Sequence, residues 1–283
     1  MKQQNELTIE NEALARRISY RTRGHSQGPI TRLVSPSDVG QLIKPFVFLD
    51  YFDIEPKRMP ALGFHPHSGI ATITVILEGQ VAYEETSGTK GIVDTGGVEW
   101  MRAAGGVWHT GGAAGTARIK GYQLWIALPP EMESIESEAR YLGPQQFRRQ
   151  GPARVILGRF SEAASQVPAP PTMNYLDVTL KKGEKWRYQP PEKHTVAWLA
   201  LHKGKLATPE IVDTGELVVF EPSNAALEFE ALQDTGFVLG SAVKHPHDLF
   251  LGNYSVHTSQ EALDKGEANI REIGKRLRAE GRL

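Results

Sequence analysis

The chain has 283 residues, with 32 Lys and Arg against 33 Asp and Glu, and a net charge of −1. A balance this close to neutral lacks the basic field that captures nucleic acid or an anionic membrane, so neither is an expected partner. The sequence holds no cysteine, which excludes disulfide frameworks, thiolate zinc sites and cysteine nucleophiles. The polar N-terminus and the lack of any long apolar run predict a cytoplasmic protein without a membrane span.

Short alternating runs separated by turn residues dominate residues 17–128. Alternation with a period of two residues, bounded by glycine-containing turns, predicts β-strands. The predicted strands are 46–50, 70–77, 80–85, 98–103 and 123–128, with tight turns at Glu78-Gly79 and Ser87-Gly88. No helical pattern separates these strands, which is typical of a β-sandwich or a small barrel.

A polar stretch bounded by prolines, residues 129–152, interrupts this rhythm. Strands are predicted again beyond it, at 173–180, 195–201, 216–220, 226–229 and 237–239. Two halves of similar size and rhythm predict two tandem β-domains. We place the N-terminal domain at residues 1–135, a linker at 136–152 and the C-terminal domain at 153–283.

The C-terminal segment has the pattern of a helix over 259–280. Thr258 and Glu261 fit a capping box with Thr258 as the N-cap. An apolar stripe then falls on one helical face, formed by Leu263, Ile270, Ile273 and Leu277. Gly266 and Gly274 weaken the helix, so we expect it to depend on docking this stripe against the body of the protein.

Three histidines stand at strand ends in a pattern that suits a metal ion. His65 and His67 are separated by one residue, so both side chains share one face of a strand. His109 ends a later, glycine-rich strand. Imidazoles that converge inside a small barrel are ligands for Zn, Fe, Ni or Cu. The alternative is a cavity that retains the three rings without a metal.

Two other features have an ordinary structural interpretation. His245-Pro246-His247 repeats the H-x-H pattern, but no third histidine follows on a strand, so we expect a surface loop. Trp100, Met101 and Trp108 flank the histidine strands. Such residues are usually core, and the functional alternative is that they wall a pocket for a flat aromatic ligand.

The central segment HPHSGIATITVILEGQVAYEETSGTKGIVDTGGVEWMRAAGGVWHT resembles the metal-binding half of a pirin. The segments KPFVFLDYF, GYQLWIALP and YSVHTSQEALDKGEANI are also similar to pirins, and the resemblance extends over about residues 18–280. It implies an all-β fold of two tandem cupin-type barrels, a bicupin, with a C-terminal α-helix. It also implies one divalent ion in the N-terminal barrel. Fe(II) is the expected ion, and Zn, Ni, Mn and Cu are the alternatives.

The resemblance assigns the metal ligands residue by residue to His65, His67 and His109. The fourth ligand of pirins, a Glu two residues after the last His, falls on Gly111, and the Glu used by other cupins falls on Ala71. Both positions share the parity of the histidines, so both should face the metal if the strands are regular.

Without these two carboxylates, the charge of the ion is not offset and no general base is assigned. Glu78 or Glu99 would be a substitute, although the sequence places neither of them in the pocket. No catalytic residue is therefore identified.

The resemblance leaves two functions open. Some bacterial pirins open the flavonol ring of quercetin with dioxygen, which implies a metal-dependent dioxygenase of flavonols or related aromatics. We expect that activity to be weak here, because the carboxylate is missing. Other pirins are non-catalytic regulators that bind a protein. The expected partner is accordingly either a small aromatic substrate or a protein.

Overall fold

The structure, a computed structural model, describes residues 16–58, 63–170 and 172–283. Its first twelve strands are β1 (Ile18–Thr22), β2 (His25–Gln27), β3 (Ile30–Val34), β4 (Phe46–Ile54), β5 (His65–His67), β6 (Ile70–Glu78), β7 (Val81–Glu85), β8 (Lys90–Val93), β9 (Val98–Arg102), β10 (Val107–Ala113), β11 (Ile119–Ala127) and β12 (Glu138–Leu142). The others are β13 (Arg149–Gln150), β14 (Ala153–Leu157), β15 (Arg159–Phe160), β16 (Ala163–Ala164), β17 (Met173–Leu180), β18 (Lys185–Tyr188), β19 (Val196–Lys203), β20 (Lys205–Thr208), β21 (Glu210–Asp213), β22 (Leu217–Phe220), β23 (Leu227–Ala231), β24 (Thr235–Ala242), β25 (Phe250–Leu251) and β26 (Val256–His257). The helices are α1 (Val39–Ile43) and α2 (Gln260–Ala279).

The described residues form two compact units, and each contains one barrel. The first barrel comprises residues 25–146 and 245–283. The second barrel comprises residues 16–24 and 147–244. The predicted all-β class, with two tandem cupin-type barrels and a C-terminal helix, is confirmed.

The first barrel is built from a seven-stranded and a four-stranded antiparallel sheet. Their strand orders are β12-β9-β6-β11-β4-β3-β2 and β5-β10-β7-β8. Strand β6 lies between β9 and β11 in the larger sheet and is buried along most of its length, because its largely β-branched TITVI run packs well on both faces of a covered sheet. The predicted turns are present, since Gly79 and Gly88 have φ values of +81° and +88°, a region that favours glycine.

The second barrel repeats this plan. Its seven-stranded sheet has the order β1-β22-β19-β24-β17-β14-β13, and its four-stranded sheet the order β18-β23-β20-β21. Between them lies an apolar core that includes Leu199, Phe220, Phe229 and Phe237. The predicted strands of the second half correspond to β17, β19, β22, β23 and β24.

The predicted domain boundaries need correction at three places. Residues 138–142 of the expected linker form β12, which pairs with β9 at the edge of the first barrel. Residues 16–24 belong to the second barrel, where β1 pairs with β22. Residues 245–283 belong to the first barrel. Sequence distance misassigned these segments because β-pairing and helix docking join residues that are remote in the chain.

Helix α2 was predicted within one residue at each end, but its cap differs. Ser259, rather than Thr258, is the N-cap, and its Oγ accepts a hydrogen bond from the Ala262 amide at 3.1 Å. In the predicted stripe, Leu263, Ile270 and Leu277 are buried and Ile273 is half-buried.

The stripe faces the first barrel, where the Trp108 indole donates a hydrogen bond to the Ile270 carbonyl at 2.8 Å. The two helix glycines permit this approach: a Cβ at Gly274 would lie 2.7 Å from the Trp108 ring, and one at Gly266 2.5 Å from His257. In the described ranges, no helix combines the length and apolarity needed to cross a bilayer.

Candidate metal centre

The pairing of β5 with β10 brings the three predicted histidines together. His65 lies opposite His109 across the antiparallel pair, and His67 shares the inner face of β5 with His65. The ring centroids of His65 and His109 are 4.5 Å apart, and those of His67 and His109 are 5.1 Å apart. One ring nitrogen from each residue lies within 4.8 Å of the other two.

The outer nitrogens of His65 and His67 have protein partners. His67 Nδ1 lies 2.9 Å from the Tyr254 carbonyl, and His65 Nδ1 lies 3.0 Å from the Gly63 carbonyl. A carbonyl only accepts, so both Nδ1 atoms donate and the lone pair of each neutral ring sits on Nε2. The Nε2 atoms of His67 and His109 are buried without a hydrogen-bond partner. Three convergent imidazoles with such unpartnered nitrogens suit a divalent ion.

Burial also keeps two of these rings neutral. Burial, with a contribution from the neighbouring His109, lowers the pKa of His65 to about 4. Burial holds the pKa of His67 well below its usual value, again with a contribution from His109. Neutral imidazole is the form that ligates metal ions, so both side chains are ready for coordination at neutral pH.

Gly111 and Ala71 stand where pirins and other cupins carry a carboxylate ligand, and the two positions differ in orientation. Gly111 lines the cavity, and a Cβ there would meet Ala82 O and Val81 Cγ1 at 3.6 Å, an ordinary contact. Ala71 was expected to face the metal, and this was wrong. Thr74 is the β6 residue that lines the cavity, so Ala71 projects to the opposite face. The regular alternation is broken at Gly69, between β5 and β6, which has φ +74°.

Glu99 brings a carboxylate to the site from a third strand. It lies on β9, lines the cavity and is only 7% exposed. Its Oε1 is 3.5 Å from His109 Nδ1, close enough for strong attraction but outside hydrogen-bond geometry. Glu78, the other candidate from the sequence, is exposed and forms an ion pair with Lys120.

The histidines border a cavity of about 500 Å³. Phe48 and Trp125 form part of its wall as a parallel stack, with ring centroids 4.0 Å apart. Trp100, Met101 and Trp108 do not line this cavity, so the alternative of an aromatic wall is not supported. Trp100 and Met101 are core residues, and Trp108 packs against helix α2.

A segment far along the chain, residues 253–258, completes the site. Asn253 and Tyr254 line the cavity, and the Tyr254 ring centroid is 6.0 Å from that of His65. A buried network anchors this segment, in which His257 Nε2 lies 3.0 Å from Ser68 Oγ and His257 Nδ1 lies 3.7 Å from Glu133. No local pattern in the sequence predicted these contacts, because they join residues well over a hundred positions apart.

The second H-x-H motif lies in the loop after β24, as expected, but only His247 is exposed. His245 is buried, which lowers its pKa to about 4. Its ring centroid is 5.3 Å from that of His247. Among the described residues, the cluster of His65, His67 and His109 is the one group of three possible ligands.

Comparison with known proteins places the chain in a family. A family model described as Pirin matches residues 29–126. A Pseudomonas aeruginosa protein named "Putative quercetin 2,3-dioxygenase PA2418" is 30% identical over 276 residues, which cover 89% of this chain and 93% of that protein. A "Pirin-like protein" of Solanum lycopersicum is 33% identical over 198 residues, covering 68% of this chain and 66% of that protein. The chain belongs to the pirin family.

Solved structures show the same fold. The crystal structure of a quercetin 2,3-dioxygenase from Acinetobacter baumannii superposes with a TM-score of 0.79 at 21% identity, covering 91% of this chain and 95% of that chain. The bacterial pirin YhhW of Escherichia coli, in complex with nickel(II), gives a TM-score of 0.65 at 22% identity, covering 81% and 98%. The bicupin architecture of this pirin is therefore shared with both.

Proposed function

We propose that the first barrel is a metal-dependent oxygenase site for flavonols or related aromatics with neighbouring oxygen substituents. The observation that carries the proposal is the convergence of three imidazoles at a cavity of about 500 Å³, a volume suited to a ligand of that size. The pirin-like relatives and the relative named for quercetin dioxygenation support the same assignment.

In this proposal, His65, His67 and His109 hold one divalent ion through their Nε2 atoms. Fe(II) is the proposed ion, since imidazole ligands suit it and reaction with dioxygen calls for a redox-active metal. The chemistry that such an ion supplies is Lewis acidity toward two neighbouring substrate oxygens and redox activity toward dioxygen. The cytoplasmic location predicted from the sequence is the proposed compartment.

The protein side chains have separate tasks. The Tyr254 and Gly63 carbonyls orient two of the imidazoles, and Glu99 beside His109 offsets positive charge at the site. The flat faces of Phe48 and Trp125 position an aromatic ring and exclude water. Because Gly111 brings no carboxylate to the histidines, we propose that turnover is slow.

The test is oxygen uptake with quercetin by protein loaded with Fe(II). We expect slow, metal-dependent uptake by the wild type and none by His67→Ala, with His247→Ala as a matched control that retains wild-type activity. Circular dichroism establishes that each variant is folded.

Absence of uptake by folded, metal-loaded wild type would contradict the oxygenase. The non-catalytic regulator that binds a protein would then be favoured, and the missing carboxylate at position 111 is the observation on its side. Uptake that is unchanged in His67→Ala would instead show that the reaction does not depend on the three histidines.

A further inference from the structure

Five polar side chains form a continuous row across the inner face of the large sheet of the first barrel. Each is the cross-strand partner of the next, in the order Arg32, Asp50, Gln123, Thr74 and Glu99. All five line the cavity, and the row ends at Glu99 beside His109. We call this set the polar row.

The rows on either side are largely apolar, with Thr72, the cross-strand partner of Trp125, as a polar member. Phe48 and Trp125 are cross-strand partners one step along β4 and β11, and Phe52 lies one step in the other direction. Inward-facing positions of small barrels are usually filled by apolar side chains, since an unpaired polar group loses its hydration on burial. A single polar row between largely apolar rows therefore provides hydrogen-bonding groups along one line of an otherwise largely apolar cavity.

Part of the hydrogen-bonding capacity of the row is unused. Thr74 and Glu99 are each 7% exposed, and Thr74 Oγ1 and Glu99 Oε1 are buried without a hydrogen-bond partner. At the other end, the Arg32 guanidinium lies 3.9 Å over the Phe48 ring and donates from Nε and Nη2 to the Asp50 carboxylate. That pairing fixes both side chains at the cavity wall. Buried polar atoms without a partner favour a ligand that satisfies them.

The spacing of the row selects a pattern of oxygens on the ligand. Neighbouring strands lie about 4.7–4.9 Å apart, so the backbone positions of the row repeat at about that distance. Two oxygens in meta positions on a benzene ring are also about 4.8 Å apart, whereas ortho oxygens are too close and para oxygens too distant to match adjacent strands.

We propose that the polar row binds an aromatic ring with meta-spaced hydroxyl groups, and that Gln123, at its centre, is a specificity-determining residue. The substrate class is then a flavonol hydroxylated at positions 5 and 7, rather than one that carries only the chelating 3-hydroxy-4-oxo pair. This inference rests on the proposed function for the chelating end of the substrate. The row itself does not depend on turnover.

The experiment measures binding under nitrogen by calorimetry, with Zn(II) in place of Fe(II) so that no reaction occurs. The two ligands are 3,5,7-trihydroxyflavone and 3-hydroxyflavone, which differ only in the meta pair. We expect the wild type to bind the trihydroxy compound at least about tenfold more tightly, since one hydrogen bond is worth about a factor of ten.

Gln123→Met keeps the shape of the side chain and removes its hydrogen bonding. We expect it to weaken binding of the trihydroxy compound about tenfold and to change binding of 3-hydroxyflavone less than about twofold. Gln80→Met, at an exposed residue that bonds Asp94, is the matched control and should behave as the wild type. If Gln123→Met does not fold, Thr74→Val tests the same row.

Equal affinity of the wild type for both ligands, or equal losses for both in Gln123→Met, would overturn the polar row as a recognition element. Failure to bind either ligand would overturn it as well. Selective binding that depends on Gln123, but without oxygen uptake by the Fe(II) protein, would retain the row and reject the oxygenase. Oxygen uptake without discrimination between the two ligands would support the oxygenase and reject the row as a recognition element.

Discussion

The two barrels have the same strand plan and different interiors. Each pairs a seven-stranded with a four-stranded sheet. The second barrel fills its interior with packed aromatic rings, among them Trp186 stacked on Phe229 at 5.5 Å and Phe229 against Phe237 at 5.4 Å. The first barrel instead surrounds a cavity with three imidazoles and the polar row. The side chains that point inward, rather than the fold, distinguish a candidate site from a packed core.

One buried polar cluster in each barrel shows a second difference between them. In the second barrel, Asn174, Tyr188, Ser241 and His194 form one connected network, with Tyr188 OH 2.7 Å from Ser241 Oγ and His194 Nδ1 3.0 Å from it. In the first barrel, the Nε2 atoms of His67 and His109 have no protein partner. A satisfied network stabilises a fold, whereas unpaired groups in a cavity are a cost that a ligand relieves.

The largest expected effect concerns helix α2, which only the first barrel has. Ending the chain after His257 removes Leu263, Ile270 and Leu277 from their packing, and we expect the free energy of unfolding to fall by more than about 5 kcal/mol. Leu277→Ala should lower it by about 2–5 kcal/mol in urea unfolding.

Leu251→Ala, at a residue that is 40% exposed, is the control for this prediction and should cost far less. An unchanged melting temperature of the truncated protein would contradict the docking of the helix.

Replacing one of the three histidines should abolish metal binding in the first barrel. We expect His67→Ala to hold less than about 0.1 metal ions per chain against about one in the wild type, because two ligands bind weakly. Metal analysis after dialysis measures this, and His247→Ala should retain the wild-type content. Equal content in His67→Ala and the wild type would disprove the assignment.

Adding the missing carboxylate at position 111 should strengthen the metal site of the first barrel and so increase its difference from the packed second barrel. In Gly111→Glu, we expect tighter metal binding and oxygen uptake with quercetin raised about 10²-fold, the lower end of what a positioned base contributes. The backbone of Gly111 is not in the left-handed region, and its Cβ would have room, so the variant should fold. Tight metal binding without faster uptake would favour the protein-binding function.

Replacing Glu99, the carboxylate beside His109, should have a smaller effect on metal affinity. We expect Glu99→Gln to weaken metal binding about 10–100-fold, since Glu99 acts through His109 and not as a ligand. Competition with a chelator of known affinity measures the change, and Glu78→Gln, an exposed residue, is the control. A loss as complete as that in His67→Ala would instead make Glu99 a ligand.

The smallest effect is the pH dependence of the second barrel. Burial lowers the pKa of His194 to about 4, so between that value and about 6.5 the unfolded chain binds a proton that the folded chain does not. Stability therefore falls as the pH is lowered through this range. We expect His194→Gln to reduce the loss between pH 7 and 5 by about 1–2 kcal/mol in urea unfolding. His247→Gln should leave it unchanged, and an identical pH dependence in His194→Gln would contradict the prediction.

Local patterns were sufficient for much of the fold and for three histidines of the site. Alternation predicted β6, and a 3.6-residue period predicted helix α2, because both patterns act over a few neighbouring residues. The assignment of His65, His67 and His109 as ligands stays a prediction, although β5 and β10 bring them together.

The remaining features depend on long-range pairing. Strand β9 is buried on both faces, so no alternation showed that Glu99 faces the cavity. One left-handed residue, Gly69, reversed the expected orientation of Ala71. The carbonyl that orients His67 comes from Tyr254, which no local pattern connects to it.

The division of the first barrel between residues 25–146 and 245–283 has a consequence for synthesis on the ribosome. The histidine strands emerge early, but the Tyr254 carbonyl and helix α2 emerge only after residues 147–244 have been translated. At about 5–20 residues per second, that interval lasts about 5–20 s. During it, the nascent first barrel exposes the surface that helix α2 later covers, so this pirin completes its candidate site only after residues 147–244 have been translated.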